Sequence, residues 1–343
     1  MITAGKTGIR VLVADDCPLA RDLLRELLGD DDEVRIVGEA ANGEEAVQLV
    51  LKLRPDLVIM DIEMPVMSGL EAIEVIMREQ PTPIMVITSH ADARLAYEAV
   101  GRGALEVVPK PVIDITQRRH WLHRIKLLAG VAVIRHITGH RLHKSYSTEL
   151  SPPPEHCRQA VAIAASLGGA RVLETILSQL PADFPAPIVV AQHIANGFAE
   201  ALAEWLDQKT ALTVRLATQR EPLLPGRVLI APPEYTLKVD SEGRIEISPI
   251  ISGDIYHPSA DALLMSVARV YRQGSVGVIL TGMGQDGVKG MQQIKEAGGV
   301  TIAQNEETSL IYNMPRLVVE QGWADFVVAA GEIATTLARV ALR

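Results

Sequence analysis

At 343 residues, 48% of them hydrophobic, the chain is long enough for two domains and apolar enough to fill their cores, which excludes a disordered protein. No apolar run reaches the ~18 residues of a membrane span, and MITAGKTGIRVLVADD lacks the apolar segment and cleavage site of a signal peptide, so a soluble cytoplasmic protein without membrane insertion is expected. A formal charge of −9 argues against a general nucleic-acid binder, and two cysteines, Cys17 and Cys157, make neither a disulfide framework nor a metal pattern.

Taken in chain order, the sequence first repeats a strand-then-helix unit. Apolar β-rich runs stand at IRVLVA (9–14), VRIVGEA (34–40), DLVIM (56–60), PIMVIT (83–88) and LEVVPK (105–110). Each leads into a helical pattern: LARDLLRELLGD, GEEAVQLVLKLR, SGLEAIEVIMREQ, ARLAYEAVGRG and ITQRRHWLHRIKLLAG. Five such repeats predict an α/β domain of (βα)5 type with a doubly wound parallel sheet. Strands without alternation predict helices on both faces.

The periodicity breaks at RHITGHRLHKSYSTELSPPPEHC (135–157). A linker is expected over 134–157, helical at its start and extended at Pro152–Pro154, which divides the chain into domains at 1–133 and 158–343. Its histidines, His136, His140, His143 and His156, read as solvated linker residues, since no acidic or cysteine ligand joins them. The second domain opens with the strand QAVAIAA (159–165), the helix ARVLETILSQL and the strand PIVVAQ (187–192). GRVLIAP, YTLKVD and RIEIS read as antiparallel, with SEG as a turn; the helix HPSADALLMSVARVY and the strands VGVILT and GVTIAQ follow. The expectation is a Rossmann-like doubly wound domain with a mixed, mostly parallel sheet and a β-hairpin insertion.

Strands of such sheets place their carboxyl ends at the site. In the first domain Asp15 and Asp16 close the first strand, Asp61 the third, Thr88 the fourth and Lys110 the fifth, before Pro111. Carboxylates meeting at one sheet edge repel each other unless a hard divalent cation such as Mg²⁺ joins them. A carboxylate can also attack a phosphoryl group, whose oxygens a lysine ammonium and a threonine hydroxyl then hold. VLVADD, DLVIMDIEMPVMSGLEA, ITS and VVPKP resemble the receiver domain of bacterial two-component response regulators over residues 8–130. That resemblance implies Asp61 as phosphoacceptor. It also implies Mg²⁺ bound by Asp16, Asp61 and the backbone carbonyl of Glu63 with Asp15 in support, Thr88 as switch hydroxyl and Lys110 as phosphate contact. The family often has aspartate where Ser68 stands.

In the second domain Ser166 follows AVAIAA, His193 follows PIVVAQ, and Asp286 lies in VGVILTGMGQDG. If the three strands are neighbours, these side chains converge: serine attacks a carbonyl, histidine takes its proton and aspartate orients the imidazole. Gly168 and Gly169 let a helix begin directly after the serine. Its free N–H groups, and donors of the 282–287 loop such as Met283 N–H, would face an oxyanion. The same loop reads Gly282-x-Gly284-x-x-Gly287, with Glu306 and Glu307 about 20 residues on, as in a dinucleotide fingerprint. Against that stand Asp286 inside the loop, at the start of the next helix, where it would repel a pyrophosphate, and the late place of the motif in its domain.

AIAASLGG, VVAQHI, EPLLPGRVLIAPPEYTLKV, HPSADALLMSVA, VILTGMGQDGVKGM and NMPR resemble the catalytic domain of the chemotaxis protein-glutamate methylesterases, the CheB family, over residues 158–340. The order receiver, linker, esterase matches as well. This implies hydrolysis of glutamate γ-methyl esters on chemoreceptor cytoplasmic domains, with deamidation of certain receptor glutamines. Ser166 is then the nucleophile, His193 the base, Asp286 its orienting carboxylate and Met283 N–H an oxyanion donor, with no cofactor in the esterase site. A histidine kinase of the chemotaxis type would supply the phosphate, and the receiver would restrain the esterase until phosphorylated. The chain departs from the family at Leu167, where threonine is usual, and at Tyr256-His257, where His-Arg is usual. Two further readings stand beside this one: a paralogue acting in another two-component pathway, and a non-catalytic phospho-responsive adaptor. A DNA-binding output domain is disfavoured, because acids outnumber bases over residues 158–343 and no helix-turn-helix is visible.

Overall fold

A computed structural model describes residues 8–29, 31–89, 93–110, 115–131, 159–250 and 257–341, with side chains left out at 115–117. The expected linker 134–157, with its four histidines, Cys157 and Pro152–Pro154, lies outside the described residues, as do Pro111 and Tyr256. The chain forms two compact units, one within residues 1–145 and one within 146–343. Among the described residues no helix is long and apolar enough to cross a membrane.

The first unit alternates strictly: β1 (Ile9–Ala14), α1 (Pro18–Leu28), β2 (Val34–Ala40), α2 (Gly43–Leu53), β3 (Leu57–Asp61), α3 (Gly69–Glu79), β4 (Ile84–Thr88), α4 (Ala93–Arg102), β5 (Glu106–Pro109) and α5 (Ile115–Ala129). The strands pair in parallel in the order β2-β1-β3-β4-β5. Every residue of β3 and β4 is buried, because α1 and α5 pack together while α2, α3 and α4 pack side by side, so that both faces of the sheet are covered. The chain lays β2 on one side of β1 and then returns to lay β3 on the other, which opens a crevice at the carboxyl ends of β1 and β3. Ser68 begins α3 with a capping box: its side chain accepts from Glu71 N–H at 3.3 Å, and the Glu71 carboxylate accepts from Ser68 N–H at 2.9 Å. Ser68 therefore serves the start of α3.

The second unit contains β6 (Ala160–Ala165), α6 (Gly169–Leu177), β7 (Ile188–Gln192), α7 (Ala199–Lys209), β8 (Thr213–Leu216), β9 (Arg227–Ile230), β10 (Tyr235–Val239), β11 (Ile245–Pro249), α8 (Ala260–Tyr271), β12 (Ser275–Ile279), α9 (Val288–Glu296), β13 (Val300–Gln304), α10 (Met314–Glu320), β14 (Phe326–Val328) and α11 (Ala330–Ala341). Seven strands form one sheet in the order β14-β13-β12-β6-β7-β9-β8, and every pairing in it is parallel.

Two expectations are corrected here. The sheet is parallel throughout rather than mixed, and GRVLIAP is not antiparallel: β9 runs parallel between β7 and β8. Val228, Leu229 and Ile230 are all buried, the run of a strand covered on both faces, whereas β10 and β11 pair as an antiparallel hairpin in a sheet of their own. The core between the sheet and α8 is built from small strand residues, Ala160, Ala162 and Ala164, facing Ala260, Leu263, Leu264 and Val267.

Candidate active site and acidic cluster

The strands β12, β6 and β7 are adjacent and parallel, and the 281–287 loop, Ser166 and His193 follow them directly. The crevice between β6 and β12 is where the chain, having laid β7 and β9 on one side of β6, returns to lay β12 on the other.

Ser166 is held at its main chain by three bonds. Its N–H donates to Thr281 O at 3.1 Å, and its carbonyl accepts from Gly169 N–H at 2.8 Å and from Gln192 Nε2 at 2.8 Å. The bond from Gly169 makes the turn that starts α6 directly behind the serine. Gly282 lies against the same residue: a Cβ there would come within 2.5 Å of Ser166 Cβ and 2.3 Å of Met314 Sδ, so this position takes no side chain. Thr281 fixes the loop from beneath, donating from Oγ1 to Leu167 O at 3.0 Å and accepting from Ile311 N–H at 2.9 Å. Leu167, the departure next to the serine, is buried.

His193 extends the β6–β7 ladder, its N–H donating to Ala165 O at 2.9 Å. Its ring Nε2 meets Asp286 Oδ2 at 2.8 Å. A carboxylate only accepts, so Nε2 carries the proton, and in that tautomer Nδ1 is the basic nitrogen. Asp286 is buried, and its oxygens accept from the N–H groups of Ala260 at 2.6 Å, Asp261 at 2.9 Å and Gly287 at 3.1 Å. Burial pushes this carboxyl up, but the hydrogen bond from His193 and the N–H groups of Asp261 and Ala260 outweigh it and hold it below its ordinary value. It therefore stays ionised beside the imidazole.

The sequence reading put Asp286 at the start of the following helix. In the structure α9 begins only at Val288, after Gly287, and the carboxylate instead occupies the N-terminus of α8. The start of α9, where the glycine loop would place a pyrophosphate, is itself engaged by carboxylates: Gly287 N–H donates to Asp286 at 3.1 Å and Gly290 N–H to Asp261 at 2.8 Å, which disfavours the dinucleotide reading. Met283 stands partly buried in the same loop, and the N–H of its neighbour Gly282 is engaged by Ile311 O at 3.1 Å. Gln192 was passed over in the sequence, although an amide closing an otherwise apolar strand is a signal.

In the first unit the β1 and β3 ends gather Asp15, Asp16 and Asp61, each offering a carboxylate oxygen within 4.8 Å of the others. Lys110 Nζ lies 2.7 Å from Asp61 Oδ2 and 2.9 Å from Asp15 Oδ2. Asp61 Oδ1 accepts from Ile62 N–H at 2.8 Å. Burial, and then the charge of Asp15, raise the Asp61 carboxyl to about 6 despite Lys110. Three acids against one lysine leave an excess of negative charge that suits a hard divalent cation on oxygen ligands. Thr88 closes β4 with a buried hydroxyl that has no hydrogen-bond partner among the described residues, so it is free to meet an incoming oxygen. Glu63 follows on the exposed side of the same cluster.

The chain matches two family models, CheB methylesterase over residues 161–337 and response regulator receiver domain over residues 11–119. It is similar to protein-glutamate methylesterase/protein-glutamine glutaminase 3 of Paramagnetospirillum magneticum, 41% identical over 97% of this chain and 96% of that protein. It is 44% identical to enzyme 4 of the same name from Myxococcus xanthus, over 96% of each chain. Among solved structures it is similar to the Thermotoga maritima CheB methylesterase catalytic domain, 39% identical, covering 53% of this chain and 97% of that one, with a TM-score of 0.51.

Proposed function

Since the chain belongs to the CheB methylesterase family, we propose that it removes methyl esters from glutamate side chains of chemoreceptors under the control of phosphorylation at its own receiver. The receiver takes residues 1–133, the linker 134–157 and the catalytic domain 158–343. The observation that carries the reading is the buried His193–Asp286 bond of 2.8 Å beside the strand end that bears Ser166.

The reaction follows from that geometry. Ser166 Oγ attacks the ester carbonyl carbon while His193 Nδ1 takes its proton, and Asp286 stabilises the imidazolium through Nε2–H. The tetrahedral oxyanion needs free donors. The N–H groups of Ser166, Gly169 and Gly282 are engaged by carbonyls, which leaves Met283 N–H as the donor. Collapse gives an acyl-serine and methanol, which leaves with the proton from His193; water then attacks the acyl-serine with His193 as base. A receptor glutamine enters the same cycle with ammonia as the leaving group.

At the receiver, Asp61 is the phosphoacceptor for a chemotaxis-type histidine kinase. Lys110 holds the phosphoryl oxygens, and Thr88 is the switch hydroxyl. Asp16, Asp61 and the Glu63 carbonyl, with Asp15 in support, would hold Mg²⁺, which supplies charge neutralisation for phosphoryl transfer. Both substrates and kinase are cytoplasmic, and so is this enzyme.

The test is methanol release from methylated receptor membranes, with and without acetyl phosphate and Mg²⁺. The full chain should release methanol faster with phosphodonor, and Ser166→Ala should release none while keeping its melting transition. Undiminished release by Ser166→Ala would end the triad assignment.

A further inference from the structure

We propose that Gln192 is a positioning residue for the esterase: its side-chain amide ties the main chain of the nucleophile to that of the base and so sets Ser166 against His193. This rests on the triad reading above and extends it to a residue that touches neither the substrate nor a reacting atom.

Gln192 is the last residue of β7, 5% exposed, in a strand whose other positions are apolar and buried. Its Nε2 donates to Ser166 O at 2.8 Å and to His193 O at 3.0 Å, which uses both amide hydrogens. Its Oε1 is buried and has no hydrogen-bond partner among the described residues. A half-satisfied buried amide is a poor stabiliser, because the missing bond costs desolvation that the two made bonds only partly recover. An apolar side chain of the same length would fill the space without an orphaned acceptor, so stability does not explain the amide.

Geometry does. The last ladder bond between β6 and β7 is His193 N–H to Ala165 O. Beyond it the two chains part into separate loops, at the residues that carry the nucleophile and the base. The Gln192 amide bridges that gap, bonded to both sides. Gly169 makes room for it: a Cβ at Gly169 would lie 2.2 Å from Gln192 Oε1. Gly169 N–H also donates to Ser166 O at 2.8 Å, so this carbonyl is gripped from α6 and from β7 at once. The serine position is thereby fixed relative to His193 from both of the elements that bear on it.

Two variants of the full chain test this, with phosphodonor present. Gln192→Met keeps length and volume but has no donor. Its kcat for methanol release and its rate of inactivation by a serine-directed phosphonate should fall together, on the order of 10²-fold, because a small misplacement of reacting groups has that cost. KM should stay within about twofold, since substrate contacts are untouched. In Gln192→Glu, burial and the two facing carbonyls raise the new carboxyl, which is repelled by them when ionised and donates to one of them once protonated. Its rate relative to wild type should therefore climb as pH is lowered, a response that a space-filling role would not give. A Gln192→Met enzyme with wild-type kcat overturns the proposal, as does a Gln192→Glu enzyme whose relative rate is independent of pH. Activity surviving Ser166→Ala would remove the triad itself. Its loss there, with full activity in Gln192→Met, would remove only the role of Gln192.

Discussion

Asp286 uses one carboxylate for two tasks, orienting His193 and closing the N-terminus of α8. The hydrogen bond from His193 and the helix N–H groups keep it ionised. In Asp286→Asn the ring loses its obligatory acceptor, and kcat should fall by ~10³–10⁴-fold, the scale set by a triad with the wrong tautomer. Stability gives an independent check. The folded carboxyl titrates below its ordinary value of 3.8. Its contribution is therefore complete above that value and lost as pH falls through the lower folded one. Melting curves should show wild type more stable than Asp286→Asn at neutral pH, with the gap closing only in acid. A gap that stays constant to low pH would mean that the charge is not what holds α8.

At the level of elements, α8 and α9 cap one another. Asp286, just before α9, takes the first N–H groups of α8. Asp261, in the first turn of α8, takes Gly290 N–H at 2.8 Å from the first turn of α9. The two acids are close enough to oppose each other: burial, and then the charge of Asp286, raise the Asp261 carboxyl. A raised acid weakens the fold as pH climbs from the ordinary carboxylate range through its folded value. Asp261→Asn keeps the acceptor for Gly290 and removes the repulsion, so it should melt at or above wild type at pH 7 and lose that advantage below 3.8. Asp261→Ala removes the acceptor and should cost about 1 kcal/mol, as losing a helix cap does. If Asn and Ala variants melt alike, the clasp contributes nothing.

At the level of the whole molecule, the two units carry two chemistries, and regulation is the coupling between them. A phosphoryl group adds charge and up to about three new charge-assisted hydrogen bonds, which shifts a two-state equilibrium by a few kcal/mol at most. Each 1.4 kcal/mol is about tenfold, so gating of one to two decades is the expected scale. Deleting residues 1–135 should raise basal methanol release roughly tenfold or more, and Asp61→Asn should leave the full chain at its basal rate whatever phosphodonor is added. A deletion that lowers activity, with the catalytic unit still melting cooperatively, would mean that the receiver activates by contact and does not restrain.

Strand and helix identity in the first unit was legible because its period-free apolar strands alternate with amphipathic helices at regular spacing. The residues at its strand ends were legible for the same reason, since a strand's last residue is known once the strand is known. In the second unit Ser166, His193 and Asp286 could be picked out as strand-end residues, but a sequence does not state which strands are neighbours. Only the order β12-β6-β7 sets the three strand ends side by side. The short edge strands β8 and β14 carry little periodic signal at four and three residues; α7, α10 and α11 are absent from the sequence reading too, although α11 has buried residues at helical spacing, Ile333, Leu337 and Val340. Direction along β9 was misread because its neighbours in sequence form a hairpin, whereas its neighbours in space are β7 and β8. The residue types of both sites and the alternating α/β class follow from local pattern and can be read along the chain. Which helix Asp286 caps, which ring nitrogen meets Asp286 and what Gln192 bonds depend on how the strands are ordered, because those hydrogen bonds join residues 26 to 93 positions apart.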